Sequence, residues 1–113
     1  MMTYIEINET RYPASIGGKM SDRDWDGRAS KTITLDLSYN DAVSIFTENV
    51  KWYIVQEHEV QNEEGETILE TEKYDNSEYN IPGDIVDHRN GTVSVKMGKP
   101  TAEEILAIIL GER

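Results

Sequence analysis

Thr32–Leu37 alternates without a slip, with Ile33, Leu35 and Leu37 on one side and Thr32, Thr34 and Asp36 on the other. A period of two is the signature of a half-buried β-strand, and it forces the apolar side against something. Similar short runs recur between turn signals. Thr3–Ile7 sets Tyr4 against Ile5 and Ile7, and Asn8-Glu9-Thr10 is a turn before a second strand at Arg11–Ile16. Gly17-Gly18 should break or bend that strand, and Asp22–Ser30 reads as a polar loop. Val50–Val55 is a strand whose apolar content stops at Gln56. Both halves of the hairpin that follows are polar, with Asn62-Glu63-Glu64-Gly65 as the turn and Thr67–Tyr74 as the return strand. After a loop over Asp75–Asn80, Asp84–Asp87 and Thr92–Met97 flank His88-Arg89-Asn90-Gly91, where Asn-Gly is the strongest short hairpin signal. Val93, Val95 and Met97 share a face.

Two segments switch to helical spacing. Ser38 and Asp41 stand at capping-box distance, with Asp in place of Glu, and Ala42, Val43, Ile45 and Phe46 give an apolar face through about Glu48, closed by Asn49. Pro100 and Thr101 open a second helix, with Thr101 and Glu104 as a full capping box and Gly111 as its end. Ile105, Leu106, Ile108, Ile109 and Leu110 make that helix apolar on more than one face. The expected fold is therefore α+β: a mainly antiparallel sheet of about six or seven strands, one short internal helix and a C-terminal helix. No internal repeat or linker divides the chain, so 1–113 is expected to be a single domain.

Charge is partitioned along this framework. The 113 residues carry 22 Asp and Glu against 11 Lys and Arg, a net charge of −11. Residues 57–78 hold nine acids (Glu57, Glu59, Glu63, Glu64, Glu66, Glu70, Glu72, Asp75, Glu78) and one base, Lys73, a local net of −8. Such a focused field repels nucleic acid and anionic membrane and attracts basic protein surfaces. There is no cysteine, which removes disulfides, thiolate catalysis and Cys-based zinc sites. The N-terminus lacks a basic stretch followed by an apolar one, and no run approaches the ~20 apolar residues of a membrane span. A soluble chain made in the cell interior is expected.

Candidate chemistry is sparse. Asp22-Arg23-Asp24-Trp25-Asp26-Gly27 begins like a calcium loop, with oxygen ligands Asp22, Asp24 and Asp26 at positions 1, 3 and 5 and Gly at 6. Position 12 is Ile33 instead of a bidentate Glu, no helix enters the loop, and Arg23 and Arg28 repel a cation. The plainer expectation is a solvated loop whose carboxylates pair with Arg23, Arg28 and Lys31. Trp25 is either an exposed contact anchor or, more simply, a ring folded back over the sheet. His58 and His88 adjoin no nucleophile and read as surface decoration. Gly17-Gly18-Lys19 lacks the rest of a phosphate loop, and no nucleophile elbow occurs. No catalytic residue and no cofactor is expected, and the chain reads as a non-enzyme.

Two surfaces remain as contact candidates. The acidic hairpin, through Glu57, Glu59, Glu63, Glu64, Glu66, Glu70 and Glu72, is either a charged ribbon that protects an exposed edge or an arm that docks on a basic protein. The C-terminal helix, through Ile105, Leu106 and Ile109, is either a core helix or an interface for a partner or a second copy.

The stretch Ser21–Phe46, Ser-Asp-Arg-Asp-Trp-Asp-Gly-Arg-Ala-Ser-Lys-Thr-Ile-Thr-Leu-Asp-Leu-Ser-Tyr-Asn-Asp-Ala-Val-Ser-Ile-Phe, continues to Lys51-Trp52-Tyr53-Ile54-Val55. Together with Ile81-Pro82-Gly83-Asp84-Ile85 and Asn90-Gly91-Thr92-Val93, it resembles small proteins encoded among the tail and structural genes of phages and prophages of Gram-positive bacteria. The resemblance implies a virion-structural, tail-associated or host-directed role, exercised on other virion or host proteins. It also implies synthesis in the bacterial host cytoplasm and, for a structural part, residence in the virion. Two alternatives of other classes stand beside it: an acidic nucleic-acid mimic that inhibits a host nucleic-acid-binding protein, and a calcium-dependent binding module on Asp22, Asp24 and Asp26.

Overall fold

Residues Met2–Ile7 (β1) and Thr10–Asp22 (β2) form a hairpin through Asn8 and Glu9, both in left-handed backbone (φ 52° and 66°) as a two-residue turn demands. The computed structural model to which these elements belong describes residues 2–111. A single 3-10 turn at Arg23–Trp25 leads to β3 (Arg28–Leu35), α1 (Tyr39–Ile45), β4 (Tyr53–Gln61), β5 (Thr67–Asp75), β6 (Ile81–Asp87), β7 (Val93–Gly98) and α2 (Ala102–Ile109). The seven strands make one antiparallel sheet in the order β5-β4-β1-β2-β3-β7-β6, so the α+β class is as expected.

β2 does not break at Gly17-Gly18. Its first residues, Thr10–Pro13, pair with β1, and Ala14–Lys19 pair with β3; the irregularity falls later, between Lys19 and Asp22. Other boundaries move for similar local reasons. α1 ends at Ile45, short of Glu48, and Asn49 takes a left-handed conformation in the following loop (φ 63°). β4 starts at Tyr53 and runs through the polar residues to Gln61, because pairing with β5 carries the strand where side-chain hydrophobicity does not. β6 starts at Ile81, and a bulge between Pro82 and Ile85 lets Pro82 sit in it.

The connection from β5 to β6 determines the shape. These strands lie at opposite edges of the sheet, about 29 Å apart if it were flat with strands ~4.8 Å apart. Only residues 76–80 join them, a reach of at most about 21 Å. The sheet therefore curls, and the connection crosses its open end. Trp52 holds it there. The indole is fully buried, its Nε1 donates to the Tyr79 carbonyl (2.9 Å), its backbone N–H donates to Ser77 Oγ (3.1 Å), and its carbonyl accepts from Asn76 N–H (2.9 Å). From the far side, Lys31 on β3 hydrogen-bonds the buried Asn76 side chain and sets its ammonium 4.7 Å from the Tyr79 ring centroid; burial pulls its pKa down.

Inside the curl lie Ile5 and Ile7 of β1, Ile33 and Leu35 of β3, Ile54 of β4, and Val93, Val95 and Met97 of β7, closed by Ala42 and Phe46 of α1. The members from β1, β3 and β7 are those the alternation marked, except that β3 ends at Leu35 and Leu37, beyond it, is only half-buried against the core. Trp52→Phe removes the indole N–H and leaves the Tyr79 carbonyl without that donor. We expect a loss of about 1–3 kcal/mol in equilibrium denaturation, with local exchange of the Asn76–Asn80 amides rising more than that of β3 and β7.

Candidate docking site

β4 and β5 outrun the rest of the sheet. β1 pairs with β4 only as far as Met2 opposite Glu57 among the described residues. Beyond that point, among the described residues, His58–Gln61 and Thr67–Glu70 pair with each other alone. The molecule is correspondingly long, 58 × 36 × 26 Å, with a radius of gyration of 16.6 Å; a compact chain of this length has about 13 Å. The turn at the tip is built by Asn62, whose Oδ1 accepts from the N–H groups of Glu64 (3.0 Å) and Glu66 (2.9 Å), and by Gly65 at φ 78°, a conformation that side chains resist.

All seven acids expected to form a contact surface lie on this arm, and strand periodicity divides them. Glu57 and Glu59 share one face with Thr71 and Leu69; Glu70 and Glu72 share the other with His58 and Gln56; Glu63, Glu64 and Glu66 surround the tip. Every residue of β5 is exposed. On the Glu57 face, Met2, Tyr4, Leu69, Glu57 and Glu59, with His58, line an open hollow. Apolar side chains beside carboxylates suit a lysine or arginine, whose stem is aliphatic and whose head is charged.

On the other face His58 Nε2 stands 3.4 Å from Glu70 Oε2, and Tyr74 donates its hydroxyl to Glu72, which raises the tyrosine pKa. Nitrogen and oxygen atoms of His58, Glu70 and Glu72 lie within 4.8 Å of one another. Imidazole with two carboxylates is a donor set that transition metals accept, but exposed acidic groups commonly cluster without an ion. Charge alone drew attention to the glutamates. That His58 joins them follows only from the register that sets it opposite Glu70.

The single base of the acidic window faces away from it. Lys73 sits at the root of the arm, where it bonds Glu6 of β1 and lies 4.3 Å from the Tyr53 ring centroid. Arg11 Nε donates to the other oxygen of Glu6 (3.2 Å). The lysine first, and then the arginine, hold the Glu6 carboxyl below its ordinary range. The arm beyond the root therefore carries acids without a lysine or arginine.

The other sequence candidates go elsewhere. Asp22 is the last residue of β2 and is buried, not a solvated loop carboxylate. Its Oδ1 accepts from Asp24 N–H (3.1 Å) and caps the 3-10 turn, while Oδ2 pairs with Lys96 and lies 4.0 Å from Lys19. The Lys96 bond holds its pKa low. Asp26 ends the turn in left-handed backbone (φ 55°). Asp22, Asp24 and Asp26 thus do not converge as a ligand set; among the described residues His58, Glu70 and Glu72 are the group that does. Trp25 folds back onto the sheet. Its ring fills the space that side chains at Gly83 and Gly98 would occupy, with Arg28 and Lys96 at 5.2 and 5.1 Å from the ring centroid.

α2 is not a core helix. None of its residues is buried, and Ile105, Leu106 and Ile109 are 47%, 55% and 73% exposed. A fork of hydrogen bonds ties it down: Arg28 donates to Glu104 Oε1 at 2.6 Å and Oε2 at 3.1 Å, and to the Lys99 carbonyl at 3.1 Å. The capping box predicted from Thr101 and Glu104 is present, and Gly111 ends the last turn at φ 75°. No helix is long and apolar enough to cross a membrane among the described residues. His88 bonds Ser94 Oγ (2.7 Å) at the β6–β7 hairpin.

Two measurements test this placement. A Cβ at Gly98 would come within 2.5 Å of Arg28 Cδ and 2.9 Å of the Trp25 ring, whereas one at Gly17 meets nothing within 4 Å. Gly98→Ala should cost about 1–3 kcal/mol in denaturation, and Gly17→Ala should stay within about 0.5 kcal/mol. The second concerns acid. Arg28 first, and the Thr101 backbone N–H next, pull the Glu104 carboxyl from 4.5 to about 2. A depressed folded-state pKa contributes stability above the unfolded value and loses it as pH falls through the folded one. Amide protection of α2 should fall between pH 4.5 and about 2. In Glu104→Gln, which keeps the cap, it should be weaker above that window and insensitive to pH within it.

Comparison with protein-family models, with curated proteins and with solved structures finds no match to this chain.

Proposed function

We propose that this chain is a non-enzymatic docking protein that presents the β4–β5 arm to a basic protein surface. The observation that carries the reading is the arm itself: two strands that continue past the sheet, exposed along all of β5, acidic beyond the root, with their one lysine turned back to Glu6. A concentrated field of one sign steers encounter with an oppositely charged surface and suppresses wrong partners. The Met2–Tyr4–Leu69 hollow offers lodging for a basic side chain once the two meet.

The sequence resemblance to small proteins among phage and prophage tail genes supports a virion-structural or tail-associated setting. Synthesis would then be in the host cytoplasm, and the partner would be another virion protein or a host protein. The polynucleotide-decoy alternative has weaker support. A net charge of −8 over residues 57–78, spread along strands of about 30 Å, is roughly one charge per 4 Å, against one per ~1.7 Å in duplex DNA.

Replacing residues 58–70 by an Asn-Gly turn joins Glu57 to Thr71 and should leave a folded body. Used as bait in extracts of phage-infected cells, the shortened chain should lose the partner that the full chain retains, and the full chain should release it as salt rises from about 0.05 to 0.3 M. Retention by the shortened chain would reduce the arm to a solubilising ribbon. Displacement of polynucleotide from the captured partner would favour the decoy.

A further inference from the structure

The two edges of the sheet are built differently. β6 has the marks of a protected edge: Pro82 within the strand, a bulge between Pro82 and Ile85, and Trp25 packed over Gly83. β5 has none of these. It pairs with β4 in unbroken register from Thr67 to Asp75, holds no proline, and has its single lysine turned to Glu6.

The hydrogen-bond phase of this edge can be read from its two ends. Asn62 N–H donates to the Glu66 carbonyl, and Asn76 N–H donates to the Trp52 carbonyl. In an antiparallel ladder, hydrogen-bonded pairs alternate with non-bonded ones. Ile68, Glu70, Glu72 and Tyr74 therefore direct their backbone groups to β4. Thr67, Leu69, Thr71 and Lys73 direct theirs outward, away from the sheet. The charge on this edge comes from Glu70 and Glu72, which alternate on one face with Ile68 before them, and from Asp75 at its end, while Lys73 is held by Glu6.

A row of outward amides and carbonyls guarded only by negative charge discriminates by sign. A second copy brings its own acidic arm and is repelled, whereas a basic strand is attracted. We propose that β5 is an acceptor edge to which an extended basic segment of the partner protein adds as an eighth strand. This rests on the reading of the arm as a docking element and specifies how it docks. Main-chain bonds to Leu69 and Thr71 supply the attachment, and alternate side chains supply the selection. The segment it fits carries lysine or arginine at two alternate positions facing Glu70 and Glu72, with an apolar residue beside Ile68.

The probe is a synthetic ten-residue peptide that alternates arginine with threonine and valine, added to the isotope-labelled full chain at low salt. Exchange of the outward amides of Thr67, Leu69, Thr71 and Lys73 should slow by at least about tenfold, as new main-chain bonds require, while those of Ile68, Glu70 and Glu72 change little. A peptide of equal charge interrupted by prolines should bind at least about tenfold more weakly. Thr71→Pro removes one outward N–H and no bond to β4; it should keep the melting temperature and lose peptide affinity to a similar extent.

Equal binding of the interrupted peptide would show that the arm holds basic partners by charge alone, and would overturn strand addition while leaving docking intact. So would equal binding by Thr71→Pro. Absence of peptide binding would overturn it too, as would a doubled light-scattering mass at high salt without peptide binding, which would make the edge a self-pairing surface. Failure of the docking reading shows separately, as partner retention by the arm-shortened chain.

Discussion

Five residues join opposite edges of a seven-stranded sheet, and the rest of the structure follows from how that span is made. The sheet has to curl for residues 76–80 to reach from β5 to β6, and the curl encloses the core of β1, β3, β4, β7 and α1 side chains. Trp52 pins the connection with its ring nitrogen and with both backbone polar groups, and Lys31 secures it from β3 through Asn76. Trp52 is also the residue from which β4 departs. The clamp that closes the body is therefore the foundation of the arm.

Charge follows the same division. In the body, acids and bases are matched in specific pairs: Asp22 with Lys96 under Trp25, Glu104 with Arg28 at α2, and Glu6 between Arg11 and Lys73 at the arm root. Past the root no lysine or arginine is present to match them; only His58 stands beside Glu70, and Glu57, Glu59, Glu63, Glu64, Glu66, Glu70 and Glu72 lie on both faces and the tip of two strands. Surface ion pairs contribute little stability individually. Their significance here is positional, because they leave the unmatched charge on the one element that projects. α2, with its apolar residues outward and tied to the body through the Arg28 fork, is the other element whose chemistry does not serve the core.

Much of the fold was legible in the sequence where a local rule decides. Alternation at Ile33 and Leu35, the Asn62–Gly65 turn, the Asn90-Gly91 hairpin and the Thr101–Glu104 box each depend on neighbours within a few residues, and each is found as expected. What escaped is set by distant pairing. The Gly17-Gly18 pair reads as a break, yet β3 supplies a partner that carries β2 through it. The acids of Asp22–Asp26 look like ligands in a row, yet Lys96, more than seventy residues on, takes Asp22. Trp25 rests on Gly83 and Gly98, an arrangement hinted at only by glycine in two strands. The apolar pattern of α2 suggests burial, but the core is formed by strand side chains with Trp52, Ala42 and Phe46, and no residue of α2 belongs to it. For the candidate site, composition located the arm and its acids. The open edge and the partnership of His58 with Glu70 and Glu72 needed the register.

The arm is, on this account, a preformed extension of the body, ready to receive a partner, not a charged loop that orders on contact. Backbone ¹⁵N relaxation on the free chain decides between the two. Order parameters for His58–Gln61 and Thr67–Glu72 near those of β1 and β3, about 0.85, are the predicted result; values below about 0.6 along both strands would contradict it.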